Sequence, residues 1–348
     1  MIKVGINGFG RIGRAIFRIN SDSREFDVVA INDLNPSNAN LAYMLNYDST
    51  YGVFDANINS DEDSLILNDN HKISMYHIKN ISEVPWEKHN VDIIIDASGV
   101  YENLLFKNKL KEKNIKHQIV TNTPESDEVD KYIIIGVNEN ELKDENAFLI
   151  SSSICDANAV APVLNIINNE FGIIDGFLTT LHPWLSYQNL LDGPSRSFAY
   201  PGTIIDNFAL GRASLNAIIP KTTSAIRASA KVLTDLEKRF QSLSFRVPTS
   251  IVSTADISVR LDNPADKDDI INLFIQSEQK QKHNIIKNNI EPLISTDFIG
   301  SNYSAIIDHR WIQLNDSNYL KLVLWYDNEW GYSSRVVDVV KLLSKKYN

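Results

Sequence analysis

Ile2-Lys3-Val4-Gly5-Ile6-Asn7-Gly8-Phe9-Gly10-Arg11-Ile12-Gly13-Arg14 is the stretch whose reading decides the fold of this chain. The apolar run Ile2 to Ile6 reads as a strand, and Arg14 to Asn20 as the helix that follows it. A second apolar run, Phe26 to Ile31, leads to Asp33. Three glycines alone would mark no more than a tight turn. Set between a strand and a helix, with a carboxylate about twenty positions on, they have the layout of a dinucleotide site. Gly8 permits the turn, Gly10 lets the backbone approach a pyrophosphate, and Gly13 lets the helix lie close to the strand. The helix amides then face the phosphates, and Asp33 is placed for a ribose 2′-hydroxyl. The expected cofactor is NAD.

Alternation of apolar runs with helical stretches continues through Val91 to Ala97, Gln118 to Thr121 and Tyr132 to Ile135, which predicts a mainly parallel, doubly wound α/β sheet. The run Val91 to Ala97 is apolar apart from two aspartates and ends in Asp96-Ala97-Ser98-Gly99. That ending suits a strand buried on both faces, whose C-terminal end lines the cofactor crevice. After about residue 150 the texture changes. Gly176 to His182, Ser244 to Val247, Ser250 to Arg260 and Leu320 to Tyr326 have strand-like alternation, and Pro183 to Gly211 is one long irregular stretch. These segments predict a second domain with a mixed, largely antiparallel sheet. Valines 336, 337, 339 and 340 with Leu343 have helical spacing, so the chain should end in a helix. The expected division is 1–154 for the Rossmann domain, 155–327 for a catalytic domain, and 328–348 for a helix returning to the first.

With 348 residues the chain is long enough for two domains. Its net charge of −10, with no long basic run, argues against nucleic acid as a partner. No apolar run reaches the length of a membrane span. The N-terminus enters the first strand directly, with neither basic lead nor cleavage site, so the cytoplasm is the expected compartment. A single cysteine excludes an internal disulfide and a thiolate metal cluster, and no His-rich stretch has metal-ligand spacing; no metal is expected.

That cysteine, Cys155, lies in Ser151-Ser152-Ser153-Ile154-Cys155-Asp156-Ala157-Asn158, just before the helical spacing of Ala159 to Phe171. It is either an inert core thiol or a nucleophile helped by a helix N-terminus. Thr179-Thr180-Leu181-His182 ends an apolar strand in a histidine. A strand-end histidine is often structural, but a thiolate and a base together are what attack on a carbonyl requires.

At this point the chain resembles the glyceraldehyde-3-phosphate dehydrogenase family over nearly its whole length. Besides the glycine motif, the likeness rests on Ile31-Asn32-Asp33-Leu34, Tyr47-Asp48-Ser49-Thr50, Gly136-Val137-Asn138, Asp192-Gly193-Pro194-Ser195, Phe245-Arg246-Val247-Pro248-Thr249 and Trp325-Tyr326-Asp327-Asn328-Glu329-Trp330-Gly331-Tyr332-Ser333. The resemblance implies that Cys155 forms a thiohemiacetal with a small, phosphorylated aldehyde, glyceraldehyde 3-phosphate being favoured, and that His182 is the base. It implies cofactor contacts from Gly8, Gly10, Arg11, Ile12, Gly13, Asp33, Ser98, Gly99, Thr121 and Asn328. Substrate contacts are implied for Arg246, Thr223 and Ser224, with Arg196 a further candidate from this chain's own longer stretch, and the implied assembly is a homotetramer.

The chain also departs from the family. Ser-Cys-Thr-Thr-Asn-Cys is usual around the nucleophile, whereas Ile154-Cys155-Asp156-Ala157-Asn158-Ala159 stands here. Two hydroxyls of the inorganic-phosphate site are thus an isoleucine and a carboxylate. Leu185 and Tyr187 replace residues near the substrate or cofactor. The stretch Asp192 to Arg212 is longer than usual, and Lys221 is gained. Lys221 reads as a surface residue or, with Arg196, as a relocated anion site. These departures keep two other readings open: a hydrolytic aldehyde dehydrogenase similar to erythrose-4-phosphate dehydrogenase, and a retired NAD-binding sensor or scaffold.

Overall fold

The computed structural model describes every residue except 69, 145, 196–206 and 348. The chain divides into two compact units. One comprises Met1–Ile133, Glu139–Ser153 and the chain from Ser333 onward; the other comprises Ile134–Asn138 and Ile154–Tyr332.

The first unit is built on a nine-stranded sheet. Its order runs Lys131–Tyr132, Leu149–Ser151, His117–Val120, Ile93–Asp96, Lys3–Asn7, Asp27–Asn32, His71–Tyr76, Ser64–Leu67, Ile58–Ser60. From the first of these through His71–Tyr76 every neighbouring pair is parallel. With the two-residue edge strand set aside, the parallel strands lie in the 3-2-1-4-5-6 order of a dinucleotide-binding sheet, and the order reverses between Lys3–Asn7 and Ile93–Asp96. The two edge strands Ser64–Leu67 and Ile58–Ser60 are antiparallel additions that the sequence reading did not anticipate. The central strand Ile93–Asp96 is buried throughout, as its apolar run requires.

The helix Arg11–Ser23 starts three residues earlier than its apolar spacing alone suggested, directly on Gly10. Gly8 has φ +89°, and a Cβ there would lie 2.6 Å from the Ser98 backbone. Gly13 has no room for a side chain either: its Cβ would stand 2.3 Å from the Gly8 carbonyl oxygen. At the other end of the chain the helix Trp330–Ser344 buries Val336, Val337, Val339, Val340 and Leu343.

The second unit carries an eight-stranded sheet, ordered Ile219–Lys221, Phe240–Val247, Ile173–Pro183, Ser253–Leu261, Tyr319–Tyr326, Ala305–Asp308, Ile286–Asn289, with Gln313–Asn315 also paired to Tyr319–Tyr326. Only Ile173–Pro183 with Phe240–Val247 and Ile286–Asn289 with Ala305–Asp308 are parallel. The sheet is therefore mixed and largely antiparallel, so the expected fold class holds in both units. Ser253–Leu261 alternates strictly between buried and half-buried residues, and the helix Cys155–Phe171 packs against it and its neighbours.

The contact of Gly13 with Gly8 gives a direct test. Gly13→Ala should cost about 1–3 kcal/mol of stability, because the helix must be pushed off the strand end. Thermal denaturation should show a lowered Tm, and NAD binding should weaken with it. A variant with unchanged Tm would mean that the approach is looser than described.

Candidate active site

In the first unit the glycine turn is held by a row of buried polar side chains across three strand ends. Asn32 Nδ2 donates to Asn7 Oδ1 (2.8 Å), and Asn7 Nδ2 donates to Asp96 Oδ1 (2.9 Å). Asp96 also accepts from Ser98 Oγ (2.6 Å), from the Ser98 amide (3.2 Å) and from Asn103 Nδ2 (2.9 Å). Burial raises the Asp96 pKa even so, opposed by the donors from Ser98, Asn7 and Asn103. The Gly8 amide donates to the Asn32 carbonyl at 2.7 Å, which ties the turn to the same row. Asn103 was not anticipated from sequence; it sits beside Glu102 in Val100 to Phe106 and carries no motif that would single it out.

The residues expected to meet the cofactor fall into two groups. Asp33 follows the strand Asp27–Asn32 and accepts from the amides of Phe9 (2.6 Å) and Asn35 (2.8 Å). Gly8, Gly10, Ile12, Gly13, Ser98, Gly99 and Thr121 lie at or just after the C-terminal ends of the parallel strands or in the first turn of the Arg11 helix. That helix has no capping side chain and no acidic residue in its first turn, and an added Cβ at Gly10 meets nothing within 4 Å. Unfilled space before uncapped amides fits a pyrophosphate. The Arg11 guanidinium, by contrast, is engaged within the fold: it lies 2.5 Å from Asp48 Oδ2 and over the Tyr51 ring. Asn328 belongs to the second unit. It is 5% exposed, and its buried Oδ1 has no donor among the described residues, which suits an incoming amide N–H.

The second unit assembles the thiol cluster. Cys155 is the first residue of the helix Cys155–Phe171, after Ile154 in extended conformation. His182 and Arg246 are register partners on adjacent parallel strands, and Ile219 pairs with Arg246 from the other side. Cys155 Sγ stands 3.7 Å from His182 Nε2. His182 Nδ1 is 2.8 Å from the Pro183 carbonyl oxygen, which can only accept; the proton is therefore on Nδ1, and Nε2 turns its lone pair to the thiol.

Asp156 is the unexpected member. It is 6% exposed, accepts from Cys155 Sγ at 3.5 Å and from Tyr326 Oη at 2.9 Å, and lies 4.0 Å from His182 Nε2. Tyr326 went unassigned in the sequence, although alternation along Tyr319–Tyr326 places it on the buried face. Burial first, then the Asp156 charge, pushes the Cys155 thiol well above its ordinary pKa. Burial and then Arg246 depress His182 to about 4, with Asp156 opposing. The resting pair is thus neutral thiol and neutral imidazole.

Of the expected substrate contacts, Arg246 is 7% exposed and its Nε has no partner among the described residues. Thr223 Oγ1 accepts from the Ala225 amide at 3.1 Å, and Ser224 precedes the helix Ala225–Ala230 without capping it. Lys221, on the edge strand beside Phe240–Val247, is held down to about 8 by burial and Arg246. Arg196 lies outside the described residues.

The elevated thiol sets the pH course of alkylation. Inactivation by iodoacetamide should rise about tenfold per pH unit through neutrality and keep rising past pH 8, because the thiolate is the reactive form. A plateau near pH 7 would instead show a preformed thiolate.

Comparison with known proteins agrees with this geometry. Residues 2–104 match the family model for the glyceraldehyde 3-phosphate dehydrogenase NAD binding domain, and residues 154–328 match that for its C-terminal domain. The chain is 36% identical over 342 residues to glyceraldehyde-3-phosphate dehydrogenase 1 of Kluyveromyces lactis, covering 98% of this chain and 99% of that protein. It is 35% identical over 352 residues to the cytosolic enzyme of Sinapis alba, covering 99% and 98%. With the enzyme of Phytophthora infestans it shares 35% over 345 residues, covering 99% of each. Two family domains in order and relatives aligned from end to end give one conclusion: the chain belongs to the glyceraldehyde-3-phosphate dehydrogenase family.

Proposed function

We propose that this protein oxidises glyceraldehyde 3-phosphate, with NAD as cofactor, through covalent intermediates on Cys155. The observation that carries the reading is the approach of Cys155 Sγ to the free lone pair of His182 Nε2 at 3.7 Å. As Cys155 Sγ bonds to the aldehyde carbon, the thiol proton passes through His182 Nε2 to the carbonyl oxygen, which becomes the thiohemiacetal hydroxyl. His182 Nε2 then takes the hydroxyl proton of the thiohemiacetal as a thioester forms. When bound, NAD would supply the hydride acceptor; the glycine turn, the Arg11 helix and Asp33 would hold it, and Asn328 would meet its carboxamide. Arg246, permanently charged and without a partner at Nε among the described residues, receives the substrate phosphate, with Thr223 and Ser224 as further donors. In this reading 1–154 hold the cofactor, 155–327 do the chemistry, and 328–348 complete the cofactor domain.

Neither alternative is favoured. A retired sensor has no physical use for an assembled thiol and base, and the matched relatives carry the dehydrogenase name over nearly their full length. A homotetramer is the proposed assembly, supported by a solvent-facing row of Phe177, Leu181 and Leu243 on the second sheet. Light scattering should give four times the chain mass. The Sinapis alba relative is named cytosolic, which supports the cytoplasm; among the described residues no helix is long and apolar enough to cross a membrane.

Cys155→Ser should lower NADH production at least about a thousandfold, some 4 kcal/mol of barrier, with NAD binding retained. A variant keeping substantial activity would refute the covalent route. NAD should be strongly preferred over NADP, since a fixed Asp33 carboxylate repels a 2′-phosphate; equal kcat/KM values would displace Asp33 from the ribose. Ile154 and Asp156 remove two donors from the acceptor-phosphate site and add repulsion, at roughly 1.5–3 kcal/mol per lost donor to an anion. Half-saturation by inorganic phosphate should therefore need at least about ten times more phosphate than in the Asp156→Thr variant, measured at constant ionic strength. Equal values in the two proteins would show that Asp156 does not face the incoming anion.

A further inference from the structure

Cys155, Asp156 and His182 turn three different donor atoms toward one point. Sγ lies 3.5 Å from Asp156 Oδ1 and 3.7 Å from His182 Nε2, and the oxygen and nitrogen are 4.0 Å apart. Zinc bonds of about 2.0–2.3 Å in tetrahedral geometry put ligand atoms about 3.3–3.6 Å from one another. The first separation lies in that range, the second exceeds it by about 0.1 Å, and the third closes with a shift of about half an ångström. No sequence spacing announces this cluster, because its members come from a helix start and a strand end.

We propose that these three residues form a Zn²⁺ site that blocks the enzyme reversibly by taking its nucleophile and base as ligands. The outer contacts are those of a metal site. His182 donates Nδ1–H to the Pro183 carbonyl, leaving Nε2 for the ion, and Tyr326 Oη donates to Asp156 and fixes the carboxylate. Binding breaks the Cys155 S–H bond and forms Zn–S; the proton goes to the buffer, and nothing is oxidised or reduced. Thiolate and carboxylate together cancel the charge of the ion, which offsets repulsion from Arg246 and Lys221, the cations that act on this cluster. A thiolate and an imidazole select Zn²⁺ over Mg²⁺ or Ca²⁺. The fourth position is left to water. Asp156 makes the site particular to this chain: a hydroxyl residue there supplies no anionic ligand.

The test titrates the full-length, reduced protein with ZnCl₂ by calorimetry and with CoCl₂ by absorption spectroscopy. One Zn²⁺ per chain should bind with release of about one proton, and Co²⁺ should give a thiolate-to-metal charge-transfer band. Asp156→Asn should weaken Zn²⁺ at least tenfold, and chelation should restore NADH formation to zinc-treated wild type. Unchanged affinity in Asp156→Asn, or bound Co²⁺ without the thiolate band, would overturn the site. If that variant fails to fold, the wild-type spectrum decides: loss of the band after alkylation of Cys155 supports the site, and persistence overturns it. Metal binding needs no substrate, so failure here is distinguishable from failure of the dehydrogenase assignment.

Discussion

A buried carboxylate must find donors, and at Asp96 that requirement organises the cofactor end of the first unit. Asn7, Ser98 and Asn103 answer it, and Asn7 passes the connection to Asn32. Four chain segments are thereby fixed at the reversal of strand order, where Gly8 must make its turn. Unpaired, the same carboxylate would cost several kcal/mol in this interior. Uncapped helix amides and Asp33 are positioned by that row, so the polar core of the unit also sets its ligand geometry.

The second unit meets the same constraint at Asp156 with a different result. Its oxygen is shared by Tyr326, the Cys155 thiol and the approach of His182, so the charge is satisfied by the reacting groups themselves. Burial and then the carboxylate hold the thiol neutral at rest, against the pull of the helix N-terminus, while burial and then Arg246 hold the imidazole neutral. A neutral pair must be activated on substrate binding. The same arrangement lowers the standing population of thiolate, the form that oxidants and alkylating agents attack.

The charges around Cys155 are divided between the sheet and the helix. Arg246 is buried, with no partner for its Nε among the described residues, and Lys221 adds a charge on the edge strand that persists up to about pH 8. Hydroxyl donors are removed on the helix side, at Ile154 and Asp156. Positive charge on the sheet and negative charge on the helix give the two sides of Cys155 opposite preferences for an anion.

Much of this protein was legible in its sequence. The glycine spacing, the doubly apolar strands and Asp33 determine the first sheet, because a continuous apolar run and a tight turn are local properties of the chain. The terminal helix, the Cys155 helix start and the mixed second sheet were legible for the same reason. The antiparallel edge at Ile58–Ser60 and Ser64–Leu67 was not, since its strands are short and their pairing is non-local. Nor could sequence show that Arg11 is taken up by Asp48, or that Tyr326 lies over Asp156. Such contacts join residues 37 and 170 positions apart. Residue type and spacing fix which chemistry the chain carries; only tertiary packing, by burying particular charges beside one another, decides their protonation and their partners.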